Sequence, residues 1–179
     1  MKNVRRLYEQ FQPKHYILSI SPDRNHMTFT GTVIISGLKV GKPSERITLH
    51  QKDLKVTSAH LVHHAKDGDT DIPVHRTNLH NNYDEFRLHA NKTLYPGEYT
   101  ITLSFEGKIT RSMNGMYPCF FTHEEKEKIL IGTQFESHHA REVFPCIDEP
   151  EAKATFDLTL TTPIGEAVVA NTPIKKQTE

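Results

Sequence analysis

Apolar and polar residues alternate with a period of two along much of this chain. The clearest runs cover residues 16–20, 28–35, 98–105 and 155–161. Because successive side chains of a strand point to opposite faces, each run predicts a half-buried strand whose solvent face is rich in threonine. Five shorter segments are also predicted to be strands: residues 46–50, 56–62, 85–89, 129–134 and 167–170.

Turn-forming residues separate these strands, as in Pro22-Asp23 and Tyr95-Pro96-Gly97. Only residues 3–11 and 124–128 could be helical, and both segments are short. Many short strands without a long helical pattern predict an all-β fold, with an antiparallel β-sandwich or open, curved sheets and little helix.

The chain shows no internal repeat, low-complexity tract or linker. Residues 1–179 are therefore predicted to form a single β-sandwich domain. The last strand pattern lies only a few polar residues before Glu179, and we expect the natural protein to be a larger one.

Composition excludes two classes of partner. Lys plus Arg and Asp plus Glu both number 22, so the net charge is zero and no basic surplus indicates nucleic-acid binding. No apolar run approaches the roughly 20 residues that span a bilayer, so no membrane partner is predicted. The N-terminus has no apolar secretory signal, which makes a cytoplasmic location the expectation. Cys119 and Cys146 are too few for a disulfide scaffold, and we expect free thiols.

Twelve histidines raise the possibility of a metal site. His60, His63 and His64 form an H-x-x-H-H cluster, but strand alternation would send neighbours to opposite faces, which favours a surface cluster. His123-Glu124 begins an H-E-x-x pattern, yet Glu127 stands where the second histidine of a zinc motif is needed. No metal ligand is therefore assigned, and a histidine-rich metal-binding domain remains only an alternative that elemental analysis can test.

The segment from Thr133 to Asp157 concentrates the polar chemistry of the chain. If this part is extended, Gln134 and Glu136 share one face. An amide oxygen and a carboxylate that converge at a strand end can accept hydrogen bonds from a cationic amine. The alternative is a solvent-exposed polar strand without a function.

Three residues further along are predicted to support this segment. Arg141 and Asp148 flank an apolar stretch and are expected to form an internal ion pair. Pro150 is expected to fix a turn before the next strand. Tyr117, which follows a turn, could line a cleft or pack in the core.

These motifs together resemble a known family. T-Q-F-E at residues 133–136, A-R at 140–141, F-P-C-I-D-E-P at 144–150 and K-A-T-F-D-L-T-L at 153–160 are similar to the N-terminal domain of the aminopeptidase N family of zinc metallopeptidases, peptidase family M1. The resemblance implies a saddle-shaped β-sandwich that packs against a thermolysin-like catalytic domain. It also implies that Glu136 binds the α-ammonium group of a peptide substrate and that Gln134 helps to form that part of the S1 pocket.

The catalytic motifs of that family, H-E-x-x-H and G-x-M-E-N, are absent from this chain. The resemblance therefore implies a zinc aminopeptidase whose Zn²⁺ ligands and catalytic residues lie in a downstream domain. No catalytic residue is assigned here, the isolated chain is expected to be inactive, and His138 and His139 receive no role. The alternative is a free-standing β-sandwich interaction module.

Overall fold

The computed structural model describes residues 6–178, which consist mainly of β-strands. Two 3₁₀ helices, Asn81–Tyr83 and Ala140–Glu142, are short. The strands of this part of the chain are β1 Phe11–Asp23, β2 Thr28–Lys39, β3 Ser44–His50, β4 Lys55–Ala65, β5 Gly68–Ile72, β6 Val74–His80, β7 Glu85–Leu94, β8 Gly97–Lys108, β9 Gly115–His123, β10 Lys126–Gln134 and β11 Thr155–Leu160.

The strands form two larger sheets and one separate hairpin. The first sheet has the order β11-β1-β2-β8-β4-β5, the second has the order β3-β7-β6, and β9 pairs with β10. All pairings are antiparallel except that of β1 with β11, which is parallel. The all-β prediction is confirmed. The parallel pair forms because a long connection from β10 returns the chain in the direction of β1.

The core lies between the apolar faces of the two larger sheets. Alternate residues of β1, β2 and β8 are buried as the period of two predicts, including Tyr16, Val33 and Leu103. They join one apolar cluster with Leu49 and Phe86 of the second sheet. Burial of this continuous apolar surface supplies the main favourable term in folding.

Strand β11 departs from the prediction of one buried face. Phe156 and Leu158 are 52% and 47% exposed. Because β11 is the edge strand of its sheet, the core does not extend over these side chains. The alternating sequence correctly indicates a strand here, but it does not indicate that the apolar face is covered.

Three other predictions are corrected by the structure. Residues 167–170 form no strand, and Val169 is 92% exposed. Glu124 and Glu125 have φ of 52° and 61° and form the tight turn between β9 and β10, which excludes the helix proposed at 124–128. Residues 7–10 form a turn that leads into β1 rather than a helix, while residues 3–5 of that proposed helix lie outside the described part of the chain.

Candidate functional site

Gln134 is the last residue of β10, and the strand register determines which side chains lie on its face. Gln134 pairs with Gly115, Gly132 with Tyr117 and Leu130 with Cys119. These pairs occupy one face of the hairpin because residues two apart point the same way. Leu130 is 55% exposed, and Gln134 is also exposed. Gln134 therefore lies at the end of an exposed face that is largely apolar.

Glu136 lies beyond the end of β10. Residues 136–139 form a turn, the Glu136–Ser137 peptide bond is cis, and the main-chain N–H of His139 donates to the carbonyl of Phe135 at 2.9 Å. The extended segment expected here is wrong, because the chain leaves the hairpin after Gln134. Glu136 is nevertheless exposed and lies two residues after Gln134, so both residues lie at the end of the hairpin.

Phe135 packs this end of the hairpin against the core. Its ring packs edge-on against Phe144, with centroids 6.1 Å apart. Phe144 in turn contacts Tyr16 and Phe156. The residue between Gln134 and Glu136 is thus held by aromatic packing, which restricts the position of the turn.

The ion pair predicted between Arg141 and Asp148 is present. Arg141 Nε donates to Asp148 Oδ2 at 2.9 Å, and Arg141 Nη2 donates to the Asp148 carbonyl at 3.1 Å. Only 12% and 11% of the two side chains are exposed. Arg141 also lies 3.7 Å from Asp84, and its carbonyl accepts from the main-chain N–H of Lys52 at 2.8 Å. This pair connects the loop after Glu136 to two other loops of the domain.

Glu142 makes a second connection, which the sequence did not indicate. Its Oε1 accepts hydrogen bonds from Lys52 Nζ at 2.9 Å and His139 Nδ1 at 3.0 Å. Burial opposes ionisation of this carboxyl, but the hydrogen bonds from Lys52 and His139 outweigh burial and lower the pKa of Glu142. A Cβ at Gly115 would lie 3.0 Å from the Glu142 side chain. The contact between His139 and Glu142, three residues apart, could have been predicted from the sequence. The contact with Lys52 could not, because Lys52 is 90 residues away.

Pro150 follows the segment that joins this loop to the N-terminal part of the domain. The N–H of Ala152 donates to the carbonyl of Glu149 at 2.9 Å, which places Pro150 in the turn that was predicted. The Glu149 carboxylate accepts from the main-chain N–H of Leu7 at 2.7 Å. The part that Pro150 plays in supporting a binding site stays a prediction.

His50 is buried beneath the same loop. It exchanges two main-chain hydrogen bonds with Cys146, and its Nδ1 accepts from the N–H of Asp148 at 3.1 Å. Burial, together with the positive charge of Arg141, lowers the pKa of His50 to about 4, against the opposite influence of Asp148 and Glu85. The folded protein therefore holds this imidazole neutral.

The low pKa of His50 predicts a loss of stability in mild acid. Between pH 6.5 and pH 4 the unfolded chain protonates this histidine and the folded chain does not, so the free energy of unfolding falls as the pH is lowered. The His50 contribution to this fall between pH 7.5 and pH 5 is about 2 kcal/mol. Urea unfolding at both pH values should show a smaller fall for His50→Asn, which keeps an acceptor for Asp148. The exposed control His123→Asn should behave like the parent protein, and an unchanged fall in His50→Asn would contradict the prediction.

The histidines of the H-x-x-H-H cluster at residues 60–64 each contact a neighbouring side chain. His60 lies 3.1 Å from Asp71, and His64 lies 2.7 Å from Asp69. His63 stacks on Tyr99. Within residues 6–178, no group of three His, Cys, Asp or Glu side chains is arranged to hold a metal ion. The residues that the structure describes therefore do not fit a zinc site.

Two further expectations concern the cysteines and the membrane. Cys119 is partly exposed and Cys146 is buried, and both are free thiols. Burial raises the pKa of the Cys146 thiol well above its usual range. No helix in the described part of the chain is long and apolar enough to cross a membrane.

Comparison with known proteins agrees with the fold and with the motifs around this site. Residues 12–179 match the model of the peptidase M1 N-terminal domain. The chain is 39% identical over 174 residues to aminopeptidase N of Lactococcus lactis subsp. lactis, 33% identical over 165 residues to aminopeptidase M1 of Arabidopsis thaliana, and 30% identical over 176 residues to glutamyl aminopeptidase of Homo sapiens. These alignments cover 96%, 92% and 96% of this chain, but only 19%, 19% and 18% of the relatives.

The matches establish the family. This chain belongs to peptidase family M1 and corresponds to its N-terminal domain. It spans about a fifth of the length of these aminopeptidases.

Proposed function

We propose that this chain is the N-terminal substrate-binding domain of a zinc-dependent aminopeptidase, which removes N-terminal amino acids from peptides. The observation that carries this proposal is that the side chains of Gln134 and Glu136 are exposed and have no partner within the described residues. Both side chains are exposed at the end of the hairpin, and neither makes a hydrogen bond or ion pair with other residues of the range 6–178. Two unpaired polar groups, one at the end of β10 and one on the packed turn that follows it, are available to a ligand.

The chemistry of the pair favours a substrate with a free N-terminus. The Glu136 carboxylate can accept hydrogen bonds from an α-ammonium group, and the Gln134 amide oxygen provides a second acceptor. A charge-assisted hydrogen bond is worth about 1.5–3 kcal/mol. An internal peptide bond carries no cation at the corresponding position, so this arrangement selects for cleavage at the first residue.

The exposed apolar face beside Gln134 supports the proposed S1 role and a domain partner. Leu130 and Phe121 are 55% and 47% exposed on this face, and Tyr117 lies between them and Gln134. We assign this face to part of the S1 wall and to contact with a downstream catalytic domain of the same polypeptide. That domain would contain the Zn²⁺ ligands, because the described residues of this chain do not fit them. A cytoplasmic enzyme is part of the proposal, and the free thiols support a reducing compartment.

Activity measurements can test whether the zinc site lies outside this domain. The purified 179-residue chain should not hydrolyse an aminoacyl-aminocoumarin, whereas the full-length polypeptide should, and a zinc chelator should abolish its activity. Activity of this chain alone that the chelator removes would overturn the assignment of zinc to another domain. An inactive full-length polypeptide would favour the alternative of a β-sandwich interaction module.

A further inference from the structure

A cleft lies between strand β4 of the first sheet and strand β6 of the second sheet. β5 and β6 are joined only by Pro73, yet they belong to different sheets. β5 pairs with β4 until Ile72 lies opposite Leu61, whereas β6 pairs with β7. The Pro73 carbonyl accepts from Asn91 N–H at 3.1 Å. Because β6 turns away from β4 at Pro73, a cleft of about 270 Å³ opens between the two strands.

Both walls of this cleft are strand edges. β4 pairs with β5 only through residues 61–65, so its first half has no strand partner on that side. β6 is the outer strand of its sheet. Within residues 6–178, no strand pairs with either edge. A free edge presents main-chain N–H and C=O groups that an extended segment of another polypeptide can pair with.

The polar face of the second sheet is predominantly positive. The strand register places His89 between Arg46 and Arg76. Arg87, two residues away on the same face of β7, donates two hydrogen bonds to Glu85, at 2.9 Å and 2.6 Å, so that carboxylate is already paired. The pKa of His89 is lowered by burial and then by the charges of Arg76 and Arg46, in agreement with a positive environment. An acidic ligand would be favoured on this face.

The opposite face of β6 has a different chemistry. Leu79 is 49% exposed, and Thr77 is exposed on the same side of the strand. A strand added to β6 places successive side chains on alternating faces. Its residues would therefore meet Arg76 and Asn78 on one face, and Thr77 and Leu79 on the other.

We propose that the free edge of β6 binds an extended peptide segment that alternates acidic and apolar residues, by strand addition. The acidic side chains would face Arg76 and the apolar side chains would cover Leu79. A second copy of this chain fits less well, because pairing β6 with its own copy would place two positively charged sheet faces side by side. This surface is separate from Gln134 and Glu136, and the inference goes beyond the proposed aminopeptidase role.

Binding of short peptides to the purified protein tests this inference. A fluorescein-labelled, N-acetylated peptide of three Glu-Val repeats should bind at low salt, measured by fluorescence anisotropy. The matched Lys-Val peptide should bind at least tenfold more weakly, because its charge is reversed. A Glu-Pro peptide of the same charge should also bind at least tenfold more weakly, because proline cannot donate to a strand edge. Equal binding of either control would overturn strand addition of an acidic segment.

Variants of the protein localise the effect to β6. Arg76→Glu should weaken binding of the Glu-Val peptide about tenfold, and Lys108→Glu, an exposed change of the same charge on β8, should not. Equal weakening in both variants, or none in Arg76→Glu, would contradict the β6 site. Acetylation removes the free α-ammonium, so the result does not depend on Glu136. Loss of this binding and loss of aminopeptidase activity are therefore distinguishable.

Discussion

Replacing Glu136 by Gln in the proposed full-length aminopeptidase is expected to lower kcat/KM for aminopeptide substrates by about 10- to 150-fold, which corresponds to the loss of a charge-assisted hydrogen bond worth about 1.5–3 kcal/mol. Glutamine keeps the length and one acceptor oxygen of glutamate but removes the charge. The measurement is steady-state hydrolysis of an aminoacyl-aminocoumarin. Glu136 has no protein partner in the described range, so the change should leave the free energy of unfolding nearly unaltered.

The matched control is Glu127→Gln, a removal of the same charge from an exposed position on β10. Glu127 pairs with Thr122 near the far end of the hairpin, so kcat/KM should remain within twofold of the parent value. If Glu136→Gln also stays within twofold, Glu136 does not bind the substrate amine. If both variants lose activity equally, the effect belongs to the overall charge of the hairpin.

Replacing Arg141 by Met is expected to lower the free energy of unfolding by about 3–5 kcal/mol, because removing one partner of a buried ion pair leaves an uncompensated charge. Asp148 would keep a side chain that is only 11% exposed. The variant would also lose the hydrogen bond to the Asp148 carbonyl. Urea unfolding followed by circular dichroism measures the change.

A solvent-exposed pair provides the control for Arg141. Arg24 pairs with Glu166 and has 43% of its side chain exposed, so Arg24→Met should cost less than about 1 kcal/mol. A combined Arg141→Met and Asp148→Asn variant should recover part of the stability, because it removes the unpaired charge. Equal losses for Arg141→Met and Arg24→Met would show that the loop does not depend on the buried pair.

The sequence was sufficient for the local structure of most strands. The alternation at residues 28–35 and 98–105 predicts β2 and β8, and their inward side chains are buried as expected. The same rule failed at 167–170, where apolar residues occur but no strand forms. A strand is stable only when a neighbour satisfies its main-chain hydrogen bonds, and periodicity does not report whether such a neighbour exists.

The candidate site was predictable to a similar degree. The motif from Thr133 to Asp157 identified the family resemblance, and the comparisons confirm the family. It also predicted the contact between Arg141 and Asp148, which are seven positions apart. The assignment of Glu136 to an extended segment was wrong, because the end of a strand depends on where its partner strand begins.

What the sequence by itself determined is therefore the all-β class, most strand positions and the family motif, since these depend on residues close together in the chain. Only the tertiary structure decided the parallel pairing of β11 with β1, the link from Lys52 to Glu142, and the turn on which Glu136 lies. It also decided the separation of β4 from β6 at Pro73. Each of these depends on which distant segments pack together, and that choice is made by the burial and hydrogen bonding of the whole domain rather than by local pattern.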